Sequence, residues 1–177
     1  MEERIVAPDP VAEPEAYTQA LLDLLGGRDP IEILAETPTT IAHATAALDT
    51  PTLTGRPEPN EWSVEELVGH LFHAEVVYAF RWRLTLRQPG TKYPGYDQDA
   101  WTDLPRPPFG ELVEAFTALR RADVHLIQET PQWQWDVAAN HEERGPESFE
   151  LAVRLIAGHD IAHLRQLDQT LAVVSGQ

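Results

Sequence analysis

The sequence of 177 residues contains no cysteine, only one lysine and no long apolar run. Without cysteine the chain forms no disulfide and offers no thiolate, so any bound metal must be held by nitrogen and oxygen atoms. No run of about 18 apolar residues is present that could span a bilayer. The first ten residues lack the basic and apolar regions of a signal peptide, and we therefore expect a cytoplasmic protein with no membrane partner.

Positive charge is also scarce. Thirteen Lys and Arg residues stand against 29 Asp and Glu residues, which gives a formal net charge of -16. A surface this negative repels nucleic-acid phosphates and anionic lipids, so nucleic acid is excluded as an expected partner and a small-molecule substrate is favoured. With 42% apolar and 24% charged residues, the composition is that of one soluble folded domain spanning residues 1–177.

No segment alternates apolar and polar residues as a half-buried strand does, whereas helical periodicity recurs along the chain. We predict helices in five segments: 11–25, 30–48, 64–87, 109–130 and 146–173. The second segment is expected to break at Pro38, and residues 49–60 and 90–108 are expected to be loops. This pattern predicts an all-α fold, in which an up-and-down four-helix bundle over residues 31–171 follows an N-terminal extension, residues 1–30, that carries an additional helix.

The third segment has the clearest start signal. Ser63 and Glu66 have the spacing of a capping box, and Trp62 and Leu67 occupy the two hydrophobic-staple positions around it. We therefore predict that this helix begins at Val64. Glu66 lies one turn before His70, but we interpret it as the capping residue rather than as a metal ligand.

Two histidines lie on one face of the last predicted helix. His159 and His163 are four residues apart, and the same stripe carries Ile156 and Leu167, so both imidazoles should point into the bundle. A single inward histidine is usually a hydrogen-bonded core residue. Two buried imidazoles on one stripe would repel each other if charged, whereas a divalent cation takes a neutral nitrogen from each.

His70 supplies a third nitrogen, because it shares an inward stripe with Leu67 and Ala74. Three protein ligands leave a tetrahedral ion with an open position, which is typical of reactive metal sites. The sequence therefore predicts a reactive divalent metal site at His70, His159 and His163.

The other histidines are open to more than one interpretation. His73 points about 60° to one side of His70 and is a reserve ligand or a neighbour of the ligands. His141 precedes the last helix, where either a loop role or a pocket role is compatible with the sequence. His43 and His125 lie singly on predicted helices and are interpreted as surface or core groups.

Two other metal motifs fit poorly. The segment from His159 to His163 resembles the H-E-x-x-H helix of zinc proteases, but Asp160 replaces the glutamate and no Glu or His follows that could complete the site. A di-iron bundle needs Glu-x-x-His pairs, and the sequence has none. Later on the His70 helix, Glu75, Tyr78 and Arg81 are pocket candidates, although a surface charge or a packed ring explains each equally well.

In combination these motifs resemble the DinB superfamily, the DinB/YfiT-like metalloenzymes, over roughly residues 31–171. The resemblance lies in four places: residues 61–71 (E-W-S-V-E-E-L-V-G-H-L), Glu75 with Arg81, residues 141–146 (H-x-x-x-G-P) and residues 159–166 (H-D-x-x-H-L-x-Q). It implies a four-helix bundle whose divalent metal, zinc or nickel, is held by a histidine triad. Motif by motif, that triad falls on His70, His159 and His163.

The resemblance also implies an activity. Characterised relatives are metal-dependent transferases or isomerases that use low-molecular-weight thiols, and many relatives are dimers, so a homodimer is expected. A thiol bound to the metal would lose its proton and attack an electrophilic substrate, and the protein would need no cysteine of its own. Arg81, with Tyr78 or the loop around Trp101, would then position an anionic cofactor or substrate.

Two other hypotheses remain open. The protein could be a metal-containing binding or stress-response module without turnover, or a purely structural bundle that binds no metal. A transferase requires a cleft that leads from solvent to the ion, whereas a binding module can enclose a shut or apolar cavity. The shape of the central cavity therefore discriminates between them.

Overall fold

The computed structural model describes residues 8–175, and most of them are helical. The helices are α1 (Pro14–Leu25), α2 (Pro30–Thr45), α3 (Thr50–Thr54), α4 (Val64–Arg87), α5 (Gln98–Thr102), α6 (Phe109–Glu129) and α7 (Phe149–Val174). Three short strands and one 3₁₀ turn accompany them: β1 (Lys92–Tyr93), β2 (Ala138–His141), β3 (Gly145–Ser148) and the turn at Gln132–Gln134. Residues 1–7, which begin the expected N-terminal extension, lie outside the described part of the chain.

The four long helices form the bundle. Helices α2 and α4 each pack against both α6 and α7, so α2 and α4 lie diagonally across the bundle from each other, as do α6 and α7. Helix α1 packs along α7. The expected four-helix bundle with an additional N-terminal helix is confirmed.

Helix α4 begins where the sequence predicts. The Oγ atom of Ser63 accepts a hydrogen bond from the backbone N–H of Glu66 at 3.3 Å, and Oε2 of Glu66 accepts one from the N–H of Ser63 at 2.9 Å. This capping box fixes the first turn, and the helix continues to Arg87. His70 is therefore held on a well-defined inner face.

The predicted break at Pro38 is wrong, because α2 runs through it without interruption. Proline lacks an N–H, so the carbonyl of Leu34, four residues earlier, loses its usual helical donor. In the fold, Nη1 of Arg120 donates to that carbonyl at 3.2 Å. A side chain from α6 thus satisfies the acceptor that the proline leaves free, which removes part of the cost of a proline inside the helix.

The last helix begins later than predicted. Pro146 belongs to β3, and α7 begins at Phe149, where the Oγ atom of Ser148 accepts a hydrogen bond from the N–H of Leu151 at 3.1 Å. Strand β2 pairs antiparallel with β3, with His141 opposite Gly145, whose φ of 78° suits glycine in the turn. His141 therefore ends a strand rather than lying in a simple turn.

The small sheet was not predicted either. Strand β1 pairs in parallel with β2, so the strands lie in the order β1-β2-β3. Strands of two to four residues are too short to show an alternating pattern in the sequence. The loops predicted at 49–60 and 90–108 also contain the short helices α3 and α5. No described helix is long and apolar enough to cross a membrane.

The apolar core consists of two clusters. One contains Ala74, Trp82 and Ile156, and the other contains Leu71 and Leu167. Along α4 the two clusters meet between Leu71 and Ala74, and along α7 they meet between Ile161 and Leu164, so the boundary passes close to the three histidines. The predicted histidines therefore lie in the middle of the bundle, where apolar packing changes from one cluster to the other.

Candidate metal centre

Three histidines converge inside the bundle. His70 comes from α4, and His159 and His163 come from successive turns of α7. One ligating nitrogen of each lies within 4.8 Å of the others, and the Nε2 atoms of His70 and His159 are 3.0 Å apart. The structure thus brings together the three residues that helical periodicity had selected.

All three imidazoles are held in the neutral form. Burial lowers the pKa of His70 and of His159 well below the usual value, and the neighbouring imidazoles lower both further. Burial also lowers the pKa of His163. Neutral imidazoles keep a lone pair available, which is the state in which histidine binds a metal.

Hydrogen bonding within the protein does not satisfy this cluster. The Nδ1 atoms of His70 and His159 are buried, and neither has a hydrogen-bond partner within residues 8–175. A single hydrogen bond between the two Nε2 atoms would still leave both Nδ1 atoms unpaired. The Nδ1 atoms point away from the shared centre, whereas one ring nitrogen of each neutral histidine converges on it, and this convergence fits a divalent ion better than it fits a packed core.

Gln166 orients the third imidazole. Nδ1 of His163 and Oε1 of Gln166 are 2.8 Å apart. Because the amide oxygen can only accept, Nδ1 carries the proton and Nε2 keeps the lone pair. A hydrogen bond of this kind, which fixes the tautomer and the ring orientation, is typical of metal-ligating histidines.

Trp62 covers one side of the cluster. Its ring centroid lies 4.7 Å from that of His70 and 6.2 Å from that of His163. The sequence assigned Trp62 to the hydrophobic staple of α4 and gave no signal for this second contact. The indole makes this side of the site apolar, which strengthens electrostatic interactions with a bound ion.

None of the other histidines within residues 8–175 belongs to this group of three. The ring of His73 packs edge-on against Trp101, with centroids 5.6 Å apart. Both His43 and His125 are exposed. His141 is buried and lines a cleft that also reaches His159.

The pocket candidates separate into two groups. Tyr78 and Arg81 line that cleft. Glu75 instead lies in the core, where its Oε2 atom accepts a hydrogen bond from Nε of Arg120 at 2.7 Å. Its burial, opposed by Arg120 and supported by the charge of Asp160, raises the pKa of Glu75 to about 8.

Sequence reasoning did not identify the ion network around Arg120. The guanidinium contacts Glu75 on α4, Asp160 on α7 and the carbonyl of Leu34 on α2, while Arg120 itself belongs to α6. One buried side chain therefore bonds to all the other helices of the bundle. The sequence does carry a signal, since Arg120 falls on the inward stripe of Phe116 and Val124.

A cleft of about 480 Å³ leads from the surface of the protein to His159. Its wall comes from α1, α4, the segment between β1 and α5, the β2–β3 hairpin and α7. The larger polar side chains that line it away from the rim are Tyr17, Tyr78, Arg81, Tyr96, His141 and Arg144. A molecule in this cleft can reach the histidine cluster from solvent.

The fold and the site together define a class: four-helix bundles that enclose three histidines able to hold a metal ion. The family follows from the sequence match. The model of the DinB superfamily matches residues 33–167, which is more than half of the chain, and the protein therefore belongs to the DinB superfamily. The resemblance found in the motifs is thus confirmed.

Among solved structures, the fold is similar to that of YfiT from Bacillus subtilis. The TM-score is 0.72 with 21% sequence identity, and the similarity covers 79% of this chain and 84% of that chain. YfiT is described as a probable metal-dependent hydrolase with an unusual four-helix bundle topology. At this identity the similarity concerns the fold alone. No curated protein matches the sequence.

Proposed function

We propose that His70, His159 and His163 hold a divalent ion, zinc or nickel, and that the protein is a metal-dependent transferase that uses a low-molecular-weight thiol. The observation that carries the proposal is the cleft of about 480 Å³ that reaches His159 from solvent. A structural site has no need of such access. The convergence of one ring nitrogen from each histidine and the neutral state of the triad support the metal assignment.

His70, His159 and His163 would hold the ion, which when bound would lower the pKa of a thiol that binds to it. The protein's own residues supply the rest. Trp62 excludes water from one side of the triad, and Gln166 holds His163 in the ligating tautomer. In the cleft, Tyr78 and Arg81 offer hydrogen-bond donors to an anionic cofactor or substrate.

The groups that line the cleft favour thiol transfer over hydrolysis. Its buried side chains are donors or neutral groups, whereas its carboxylates, those of Asp9, Asp97, Asp99 and Glu143, are exposed at the rim. A metal-dependent hydrolase commonly uses a carboxylate beside the ion as a general base. A thiol that ionises at the ion does not need one. Hydrolysis, the activity ascribed to YfiT, is the competing candidate.

Metal analysis tests the first half of the proposal. Purified protein should contain one zinc or nickel ion per chain, and the single variants His70→Ala, His159→Ala and His163→Ala should each lose it. The matched control is His125→Ala, because His125 is an exposed histidine on α6. Stoichiometric metal in all three triad variants would remove these residues from the site, and a metal-free wild type would favour a structural bundle.

Activity assays test the second half. Metal-loaded protein should accelerate the reaction of a small thiol with a generic electrophile, and chelation should abolish that rate. Turnover that persists after complete removal of metal would contradict the proposal. Ester hydrolysis without thiol would favour the hydrolase, and bound metal without any turnover would favour a binding module.

We further propose that the protein acts on a small molecule in the cytoplasm and forms a homodimer. The net charge of -16 supports a small molecule over nucleic acid as the partner. Sedimentation velocity checks the dimer, and electrophoretic mobility of labelled DNA and RNA checks the absence of nucleic-acid binding.

A further inference from the structure

Arg81 is a buried cation that lacks a counter-ion. It is 4% exposed and lines the cleft, yet no carboxylate pairs with it in the part of the chain that the structure describes. Its Nη2 atom donates to the carbonyl of Pro94 at 2.7 Å, and its Cζ atom lies 4.8 Å from the centroid of the Tyr93 ring. The side chain of Tyr78 also contacts the guanidinium, with its ring centroid 5.5 Å from Cζ. One carbonyl and two tyrosines carry no negative charge, so they compensate the buried guanidinium only partly.

The neighbouring arginine is compensated. Nε and Nη2 of Arg144 donate to Oε2 of Glu147 at 3.0 Å and 2.7 Å, and the hydroxyl of Tyr93 donates to Oε1 of the same carboxylate at 2.8 Å. Glu147 is therefore fully engaged and balances Arg144. The inner wall of the cleft keeps one uncompensated positive charge, that of Arg81.

His141 adds a neutral donor beside this charge. Its Nδ1 atom accepts from the backbone N–H groups of Glu143 and Arg144 at 3.2 Å and 3.4 Å, so the proton of the neutral ring lies on Nε2. Burial and the charges of Arg144 and Arg81 lower the pKa of His141 to about 3. The imidazole therefore stays neutral, and its Nε2–H has no acceptor within residues 8–175.

We propose that Arg81 and His141 form a carboxylate subsite in the cleft, which binds a single carboxylate group of the thiol or of the electrophile that reacts at the triad. The reaction at the triad rests on the proposed function, whereas the carboxylate subsite is argued from Arg81 and His141 alone. The guanidinium offers a planar pair of N–H donors that matches a carboxylate, and Nε2–H of His141 offers a further donor.

The charges favour a carboxylate over a phosphate. One uncompensated guanidinium balances one negative charge, whereas a phosphate at neutral pH carries nearly two. Four exposed carboxylates at the rim would oppose the second charge: Asp9, Asp97, Asp99 and Glu143. We therefore expect the part of the ligand that lies at Arg81 to carry a single carboxylate group.

The test compares two ligands that differ only in this group, N-acetyl-L-alanine and N-acetyl-L-alanine amide. Their Kd values are measured by NMR titration of the full-length protein, both metal-loaded and metal-free, because a carboxylate can also bind an ion directly. We expect the metal-free wild type to bind the carboxylate about tenfold to a hundredfold tighter than the amide. Equal affinities in the metal-free protein would overturn the proposal.

Variants identify the residues. Arg81→Met should abolish the preference for the carboxylate, and His141→Gln should reduce it, whereas Arg87→Met, an exposed arginine at the end of the same helix, should retain it. An unchanged preference in folded Arg81→Met would overturn the proposal. If that variant does not fold, Arg81→Lys, which keeps the charge but loses the planar fork, should reduce the preference, and an unchanged preference there would equally overturn it.

Inorganic phosphate is the competing probe. If it binds the metal-free wild type more tightly than N-acetyl-L-alanine does, the carboxylate assignment is wrong. Because these measurements need neither metal nor turnover, failure of the carboxylate subsite and failure of the metal-dependent transferase are distinguishable.

Discussion

At the scale of single residues, Gln166 determines which nitrogen of His163 faces the other two imidazoles. The amide oxygen accepts from Nδ1 at 2.8 Å, and this leaves the lone pair on Nε2. His163 and Gln166 are three positions apart on α7, so one turn of this helix is enough to orient the imidazole.

We predict that Gln166→Leu weakens metal binding by about 10-fold to 100-fold, because the ring loses the partner that fixes its tautomer. Competition with a chromophoric chelator measures the affinity. Gln169→Leu, an exposed glutamine one turn later, is the control and should bind metal as the wild type does. Equal affinities of the two variants would contradict a role for Gln166.

The sequence predicts the metal-site candidates well and their partners poorly. His70, His159 and His163 are identifiable because helical periodicity places each on an apolar stripe. The contacts of Arg120 with Glu75 depend on which helices are neighbours, and that is a tertiary property. A charged residue on an apolar stripe was the available signal, but the stripe alone does not identify its partner.

At the scale of elements, Arg120 connects all four bundle helices through Glu75, Asp160 and the carbonyl of Leu34. Removing its charge would leave buried Asp160 without a counter-ion and Glu75 without its hydrogen-bond donor. It would also leave the carbonyl of Leu34 without a partner, because Pro38 has no N–H to donate to it.

We predict that Arg120→Met lowers the free energy of unfolding by about 3 to 5 kcal/mol, which is the usual cost of breaking a buried ion pair from one side. Urea denaturation at neutral pH measures the change. Arg121→Met removes an exposed arginine from the same helix and should change stability by less than about 0.5 kcal/mol. Similar stabilities of the two variants would show that the network is not needed for folding.

The contact between α1 and α7 depends on Gly158, because a Cβ added there would lie 2.8 Å from the carbonyl carbon of Leu21. We predict that Gly158→Ala lowers stability by about 1 to 3 kcal/mol, since backbone must move to make room. The control is Gly110→Ala, where an added Cβ meets no atom within 4 Å. Thermal denaturation followed by circular dichroism compares the two, and a neutral Gly158→Ala would contradict close packing of α1.

Element boundaries were predictable where the signal is local. The capping box gives the start of α4 at Val64 because both of its hydrogen bonds form within one turn. The continuity of α2 through Pro38 depends on Arg120, which is distant in sequence, and the hairpin that pairs Pro146 with Asn140 has strands too short to show a pattern. Neither could be derived from the adjacent sequence.

At the scale of the whole molecule, the metal site joins helices that are distant in sequence. Its ligands come from α4 and α7, and the two apolar clusters meet around them. An ion bound here would link the two clusters only in the folded state. Binding should therefore stabilise the entire fold.

We predict that a free metal concentration of about 100 times the Kd raises stability by about 2.7 kcal/mol. For a chain of this size the gain corresponds to an increase in Tm of about 5 to 10 °C. Differential scanning calorimetry with metal and with chelator measures it. The Tm of His159→Ala should be the same with metal and with chelator. If the Tm of the wild type is also unchanged by metal, the site is not specific.

The class of the fold was predictable from helix number and periodicity, but the arrangement of the helices was not. Helices α2 and α4 are successive long helices in sequence, yet they lie diagonally across the bundle. Periodicity defines an apolar face for each helix without stating which helix covers it. The cleft depends on this arrangement, and its shape therefore required the structure.

The DinB superfamily match spans residues 33–167, so α1, which contributes Tyr17 to the cleft wall, lies outside the matched region. One part of the cleft wall is thus encoded outside the stretch of chain that carries the ion ligands. An engineer could graft another amino-terminal helix onto α7 at Gly158 and so change ligand selectivity while leaving the coordination chemistry intact.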